Sequence, residues 1–356
     1  MIHIEGSSAD AVWRQAVERL RTFGPLQESR DQKTREVLHV AFTITDPRQR
    51  LVFGRPIDPA FAIAELIWIM AGANDSAFLS FWNPRMARFI DRDQYLFHGA
   101  YGYRLGCQPK LSEDAAQQLR HDYGTDKSRL DQVKSAYEVL LHTPDSRQAI
   151  LQIWDNRLDM PDPEARSKDI PCNVMSHLMI RQGKLEWLQV MRSNDLIWGT
   201  PYNFIQFTTL QEIIAGWLGV EVGTYNHISD SLHVYERHWR DLELFETDSI
   251  EILTNYAHLN VLSYSEWEKL WAALVDSAIL LTRYQKADDL LGVFSNLTHL
   301  PSAYVEWLAL LTAEALRRRG HPTEAEKMID YAGSFWSTSW RLWMREVLSR
   351  KTRNSR

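Results

Sequence analysis

The chain has 356 residues, of which 45% are hydrophobic and 24% are charged, and its formal net charge is −6. This is the composition of an ordinary globular protein, and its acidic balance excludes a global basic field for binding polynucleotides. Two cysteines, Cys107 and Cys172, are too few for a disulfide framework, and no charged-then-apolar leader precedes the first helix. We therefore expect a cytoplasmic protein without a membrane partner, since its apolar stretches fall short of the ~20 residues of a span.

The first half of the chain predicts helices mixed with strands, because the spacing of apolar residues alternates between helical and period-two patterns. Glycine and proline mark the breaks between these segments. In chain order the predicted elements are a helix at 9–23, strands with a loop over 34–53, a buried helix at 59–72, a helix at 130–141 and a strand at 146–155.

A hairpin is predicted next, because two strand-like runs, 172–180 and 185–192, flank the turn sequence "RQGK". Folding the chain back at this turn brings Cys172 level with Arg192 and Ser193. A nearby cation favours the thiolate, which is the reactive form of cysteine. Cys172 is therefore either a nucleophile or a small core residue.

The remainder of the chain predicts a long helix over 203–219, a strand that becomes helical over 224–245, and only helices after about residue 262. The segment "EALRRRGHPTEAEKMI" has a weak likeness to helical repeats. We expect a catalytic domain at 1–245 and an α-helical module at 246–356, which offers a surface for a protein partner. No residues have the spacing of a metal site.

Several segments together carry a family resemblance. "IPCNVMSHLMIRQGKLEWLQVMRSND", "GTPYNFIQFTTLQEIIAGWLG" and "SDSLHVYERH" follow one another, and "AELIWIMAGAND", "GAYGYRLG" and "TPDSRQAILQIWD" lie upstream. In this order and spacing they resemble the thymidylate synthase and pyrimidine nucleotide hydroxymethylase family over about residues 25–245. The resemblance implies an α+β fold with a large bent sheet and flanking helices, and a homodimer paired through the sheets.

The resemblance makes Cys172 the nucleophile that attacks C6 of a pyrimidine nucleoside monophosphate. C5 then accepts a one-carbon unit from the cosubstrate 5,10-methylenetetrahydrofolate, since covalent addition supplies electron density that uracil lacks. Glu65 matches the family's general acid/base, and its apolar surroundings predict a raised pKa. Tyr101 matches a position near the reacting carbon.

The same resemblance implies the binding residues. The expected phosphate ligands are Arg30, Arg147, Arg192 and Ser193, with Gln148 in place of the family's second arginine. Asn203 matches the residue that reads the O4 and N3–H edge of uracil, which an amide complements. For the sugar hydroxyl we expect His233 and Tyr235, and for the folate Asp195 and Trp82.

Four departures from the family pattern leave the product open. Asn173 follows the cysteine where synthases have histidine, Met191 replaces a glutamine, and Asn194 occupies a position that is usually cysteine or glycine. The family's closing C-terminal segment does not follow residue 245, and exclusion of water decides between a methyl and a hydroxymethyl product. We expect dUMP methylation to dTMP, with uridylate or cytidylate hydroxymethylation as the alternative. A nucleotide-binding scaffold is the alternative of another class.

Overall fold

The computed structural model describes residues 1–29, 32–90, 95–120, 130–160, 167–240 and 256–354. The strands in these ranges are β1 (Ile2–Gly6), β2 (Leu26–Ser29), β3 (Gln32–Ile44), β4 (Ala149–Gln152), β5 (Asn173–Arg181), β6 (Lys184–Met191), β7 (Asn194–Asp195) and β8 (Glu221–Tyr235). The helices are α1 (Ala9–Phe23), α2 (Pro59–Met70), α3 (Ala77–Trp82), α4 (Tyr101–Leu105), α5 (Glu113–Leu119), α6 (Gln132–His142), α7 (Asn156–Asp159), α8 (Gly199–Leu218), α9 (Tyr264–Arg283), α10 (Ala287–Ser295), α11 (Ser302–Arg318), α12 (Pro322–Ile329) and α13 (Gly333–Asn354). No helix within the described ranges is long and apolar enough to cross a membrane.

One mixed sheet organises the molecule. Its order is β1-β3-β8-β6-β5-β4, with β2 also paired to β3 and β7 to β8. The β1/β3, β6/β8 and β7/β8 pairs are parallel and the others are antiparallel. This mixed sheet with flanking helices confirms the predicted α+β class.

The two faces of the sheet have different environments. One row across β4, β5, β6, β8 and β3 is fully buried and consists of Ala149, Leu178, Trp187, Tyr225 and Ile44. The adjacent row, whose side chains point to the other face, is exposed or half-buried and consists of Ile150, His177, Leu188, Asn226 and Thr43. Because side chains alternate along a strand, one face packs on the helices and the other is open in the single chain.

The predicted hairpin is confirmed. Residues of β5 and β6 pair antiparallel around Gln182 and Gly183, both of which have positive φ, as a two-residue type I′ turn requires. At its open end the Arg192 backbone N–H donates to the Cys172 carbonyl oxygen at 2.9 Å. Cys172 and Arg192 therefore lie at the same end of the hairpin.

One part of the strand prediction is wrong. β3 ends at Ile44, and residues 45–58 form an irregular connection instead of a second strand. Arg50 in this connection is 3% exposed, donates to Thr209 Oγ1 at 3.0 Å and forms an ion pair with Glu212 of α8. This buried ion pair joins distant parts of the chain. It fixes the position of the segment, which has no pairing with another strand.

The helices α9 to α13 form the predicted helical module. It shares one hydrophobic core with the sheet and its helices, and α11 packs against α2 while α9 packs against α8. The predicted boundary at 245/246 lies in residues 241–255, outside the described residues, so the division into two domains stays a prediction.

Candidate active site

Three predicted catalytic groups lie near one another, and the region around them is called the cleft. Glu65 lies on α2, Tyr101 begins α4 and Cys172 immediately precedes β5, while the predicted base-binding residue Asn203 lies near the start of α8. The Tyr101 hydroxyl is within electrostatic reach of Cys172 and Glu65. Burial, followed by the negative charge of these neighbours, raises the pKa of Tyr101 well above its usual value. The phenol therefore stays protonated and can donate a hydrogen bond.

The Glu65 carboxyl group has the character of a general acid/base. Most residues of α2 are fully buried, and Glu65 is partly buried among them. Burial raises its pKa from 4.5 to about 7, although the hydrogen bond from Gln206 opposes the shift. Gln206 Nε2 donates to Glu65 Oε2 at 2.6 Å. Near neutral pH such a group can both release and accept a proton.

The closeness of α4 to α2 depends on Gly102. A Cβ atom at this position would collide with the carbonyl oxygen of Ile69 in α2. Only glycine permits this approach, which sets Tyr101 beside Glu65. The "GAYGYRLG" segment thus has a direct structural role in assembling the cleft.

Arg192 supports the segment that carries the thiol. Its Nε donates to the Pro171 carbonyl oxygen at 3.0 Å and one Nη donates to the Ile170 carbonyl oxygen at 3.3 Å. Its guanidinium also lies over the Trp154 ring, 5.2 Å from the centroid. These contacts fix the backbone just before Cys172, while Ser193 follows on the same half-buried edge.

Arg147, another predicted phosphate ligand, is not part of these contacts. It is exposed, two residues before β4, and its carbonyl oxygen contacts His177 Nε2 at 3.0 Å. Arg30 lies outside the described residues. The expected sugar ligands His233 and Tyr235 lie two residues apart on β8, with ring centroids 5.1 Å apart, and β7 pairs Asp195 with His233.

A chain of buried, hydrogen-bonded polar side chains, here called the relay, holds the Asn203 side chain. Its Nδ2 donates to Asn194 Oδ1 at 3.2 Å, and Asn194 Nδ2 contacts His227 Nε2 at 3.0 Å and Ser229 Oγ at 3.2 Å. The Tyr225 hydroxyl contacts His227 Nδ1 at 3.0 Å. Burial lowers the pKa of His227 to about 3, so this imidazole is neutral.

The two predicted folate ligands differ in environment. Asp195 is partly exposed, and its Oδ1 accepts hydrogen bonds from the backbone N–H groups of Ile197 and Trp198. Trp82 is 0% exposed and packs on Phe81, with Arg318 of α11 donating to its carbonyl oxygen. The Trp82 ring is therefore buried in this structure, and its role as a folate ligand stays a prediction.

Sequence reasoning missed several residues of the cleft. Gln206 follows Asn203 by three residues, so helical spacing alone could have indicated a shared face. Tyr202 interacts electrostatically with Glu65 and packs on Phe61. Asn194 was noticed only as an unusual residue; its partner His227 is 33 residues away, and no local pattern links the two.

Comparisons with known proteins agree with this geometry. The model of the family described as "Thymidylate synthase" matches residues 12–263. The chain is 36% identical over 238 residues to a deoxyuridylate hydroxymethyltransferase of Bacillus phage SP01, covering 66% of this chain and 59% of that protein. It is 30% identical over 244 residues to a protein of the same name from Delftia phage PhiW-14, covering 65% and 62%. It is 29% identical over 184 residues to a thymidylate synthase of Bacillus licheniformis, covering 51% and 60%.

The matched regions span about six tenths of the length of each of these relatives. The family match itself extends over more than half of this chain and includes every element that contributes to the cleft. By this match and by the arrangement of its cleft, the chain belongs to the thymidylate synthase family.

Proposed function

We propose that the chain transfers a one-carbon unit to C5 of deoxyuridylate through a covalent adduct at C6, and that its product is the 5-hydroxymethyl nucleotide. The observation that carries the proposal is the cleft, where a thiol, a phenol and a carboxyl group with a pKa near neutrality interact. A protein that only bound nucleotides would not need these three groups together.

The chemistry follows from the weakness of C5 as a nucleophile. Addition of Cys172 Sγ to C6 moves the double-bond electrons towards C5 and O4, so that C5 can form a bond to an electrophilic carbon. The cosubstrate 5,10-methylenetetrahydrofolate supplies that carbon when bound. Glu65 exchanges protons near O4 while Asn203 binds the O4 and N3–H edge.

The last step decides the product. Loss of the C5 proton and of the folate amine leaves a methylene group on C5. This group either adds water or would take a hydride from the tetrahydrofolate, which would become dihydrofolate, and the Sγ–C6 bond then breaks. The relatives named deoxyuridylate hydroxymethyltransferase are more similar to this chain than the named thymidylate synthase, which supports addition of water.

Methylation to dTMP is the second candidate. It is favoured by the 29% identity to a thymidylate synthase and by the packing of the helical module over Trp82, because a covered cleft excludes water. Both candidates share every step up to the methylene intermediate. The product therefore distinguishes them, while adduct formation tests what they share.

We also infer a homodimer built on the open face of the sheet. Leu38 and Ile150 are 53% and 49% exposed, which is a large apolar exposure for strand residues of a single chain. A second copy on this face would bury them and would bring the exposed Arg147 towards the partner's nucleotide phosphate.

The proposed phosphate site is completed by Arg30, Arg192 and Ser193. His233 and Tyr235 complete the sugar site, and Asp195 contacts the folate. We infer a reducing, cytoplasmic compartment from the two free cysteines.

Trapping of the covalent adduct tests the reaction class. The wild-type chain should form a stable complex with 5-fluoro-dUMP and methylenetetrahydrofolate, because fluorine at C5 cannot leave as a cation. Cys172→Ala should form none. Cys107→Ala is the matched control, since it removes the only other thiol and should form the adduct. Absence of the adduct in the wild-type chain, measured by denaturing mass spectrometry, would exclude the proposed function.

A further inference from the structure

We propose that Asn194 is a specificity-determining positioning residue, which holds the Asn203 amide in the one orientation that accepts uracil and rejects cytosine. This inference rests on the proposed function only in taking Asn203 as the residue that reads the base. It concerns the buried residues that hydrogen-bond Asn203 directly or through one another.

The relay is buried over its whole length. Asn194 is 2% exposed and Asn203 is 6% exposed, while His227, Ser229 and Tyr225 are fully buried. Buried amides in such a site lose much free energy if a donor meets a donor or an acceptor meets an acceptor. The orientation of each group therefore constrains its neighbour.

The proton positions follow from the contacts. His227 is neutral and carries a single N–H, and its Nε2 faces the Nδ2 donor of Asn194, so Nε2 is the acceptor. The proton must then lie on Nδ1, which donates to the Tyr225 hydroxyl oxygen. Asn194 Nδ2 uses its second hydrogen on Ser229 Oγ. Asn194 Oδ1 is left as the acceptor that faces Asn203.

This acceptor fixes the Asn203 amide. One Nδ2 hydrogen of Asn203 is committed to Asn194 Oδ1, and the second hydrogen and the Oδ1 lone pairs remain to bind a base. That pair complements O4 and N3–H of uracil. Cytosine presents an amino donor and an N3 acceptor, so it requires the flipped amide, which would set two carbonyl oxygens against each other.

Gly199 provides an independent sign that this contact is built into the fold. A Cβ atom at Gly199 would lie 2.8 Å from Asn194 Oδ1 and 3.7 Å from Asn203 Nδ2. Glycine at the first position of α8 thus leaves room for the Asn194–Asn203 hydrogen bond. A methyl group there should displace Asn194 without removing any polar atom.

The test compares the dissociation constants of dUMP and dCMP, measured by calorimetry so that no turnover is needed. The wild-type chain should prefer dUMP, and Asn194→Ala should reduce this preference by about 10- to 100-fold, the effect of losing one buried hydrogen bond. Gly199→Ala should act in the same direction. Thr208→Val is the matched control, since its hydroxyl bonds only the Phe204 carbonyl oxygen of its own helix, at 2.6 Å.

The outcomes separate this inference from the proposed function. If the wild-type chain traps 5-fluoro-dUMP but both variants keep the full preference for dUMP, the role of Asn194 is excluded and the reaction class stands. Equal binding of dUMP and dCMP by the wild-type chain also excludes it. If Asn194→Ala does not fold, Gly199→Ala decides. A loss of affinity for both nucleotides to the same extent would show a structural role only.

Discussion

Glu65 is ionised only at a cost, because it lies on an apolar helix and accepts its hydrogen bond from a neutral amide. Gln206 offers one N–H to the carboxylate, whereas buried carboxylates of low pKa accept two or three donors or pair with a cation. The difference between these environments is what raises the pKa of Glu65 to about 7. The same feature that suits proton exchange therefore lowers the stability of the fold at alkaline pH.

Replacing Glu65 with glutamine should change how stability depends on pH. The folded chain holds the Glu65 proton up to about pH 7, whereas the unfolded chain releases it near pH 4.5. Stability should therefore fall as pH rises through this window, by at most about 3.5 kcal/mol at about 1.4 kcal/mol per pKa unit. Glu65→Gln cannot titrate, so its advantage in free energy of unfolding should grow from pH 5 to pH 8. The free energies of unfolding are measured in urea. The same difference between the variant and the wild-type chain at pH 5 and at pH 8 would contradict this account.

At the scale of single residues, sequence predicted the contacts that local geometry sets. The Cys172 and Arg192 pairing followed from a two-residue turn and the period of the strands. The partner of Glu65 did not, because Gln206 is 141 residues away and belongs to a different helix. Nothing in the segment around Trp82 indicated that Arg318 of α11 would donate to its carbonyl oxygen, because the two residues are 236 positions apart.

At the scale of elements, the cleft depends on how closely α4 approaches α2. The helix α8 is almost wholly buried, although it carries polar side chains such as those of Gln206 and Glu212. The helix α2 packs against it, and the Tyr101 ring of α4 lies 6.2 Å from its Phe207 ring, measured between centroids. The end of α8 at Gly219 was predicted from sequence, since a left-handed C-cap glycine has a clear pattern, whereas the helix begins at Gly199, four residues before the predicted start at 203. The irregular segment 45–58 was not, because its Arg50–Glu212 pair is a tertiary contact.

Gly102→Ala should destabilise the protein and disturb the cleft. The added methyl group would meet the Ile69 carbonyl oxygen, so α4 must move away from α2, at a cost of about 1–3 kcal/mol typical of overpacking. Gly292→Ala is the matched control, because that glycine lies within α10 with open space around its Cβ position. The control should gain about 0.5–1 kcal/mol from helix propensity. Chemical denaturation measures both changes in the free energy of unfolding. A change in the same direction for both variants would refute this reasoning.

At the scale of the whole molecule, a buried charge cluster attaches the helical module to the part of the chain that carries the candidate site. Glu314 of α11 is 0% exposed and pairs with Arg317 at 2.6 Å and with Arg318 at 2.7 Å. Arg318 in turn lies 3.8 Å from Asp58, the N-cap of α2, and donates to the Trp82 carbonyl oxygen. The existence of the module was predictable from helical periodicity, but its docking was not, since these charges are distant in sequence.

Removing the central acid should therefore loosen the molecule. Glu314→Leu leaves two arginines without their shared carboxylate in a buried site, which typically costs about 3–5 kcal/mol. Glu326→Leu breaks only the exposed pair with Arg341 and should change the free energy of unfolding by less than about 1 kcal/mol. Urea unfolding monitored by tryptophan fluorescence measures both. Equal effects would show that the cluster does not hold the module in place.

The central claim concerns the product that leaves this cleft. The most direct measurement is the mass of the nucleotide formed from dUMP and methylenetetrahydrofolate, recorded together with any dihydrofolate. Addition of water predicts a gain of one hydroxymethyl group on dUMP without dihydrofolate, and no product from Cys172→Ala. A gain of one methyl group with an equal amount of dihydrofolate would contradict the account and make the chain a thymidylate-forming enzyme.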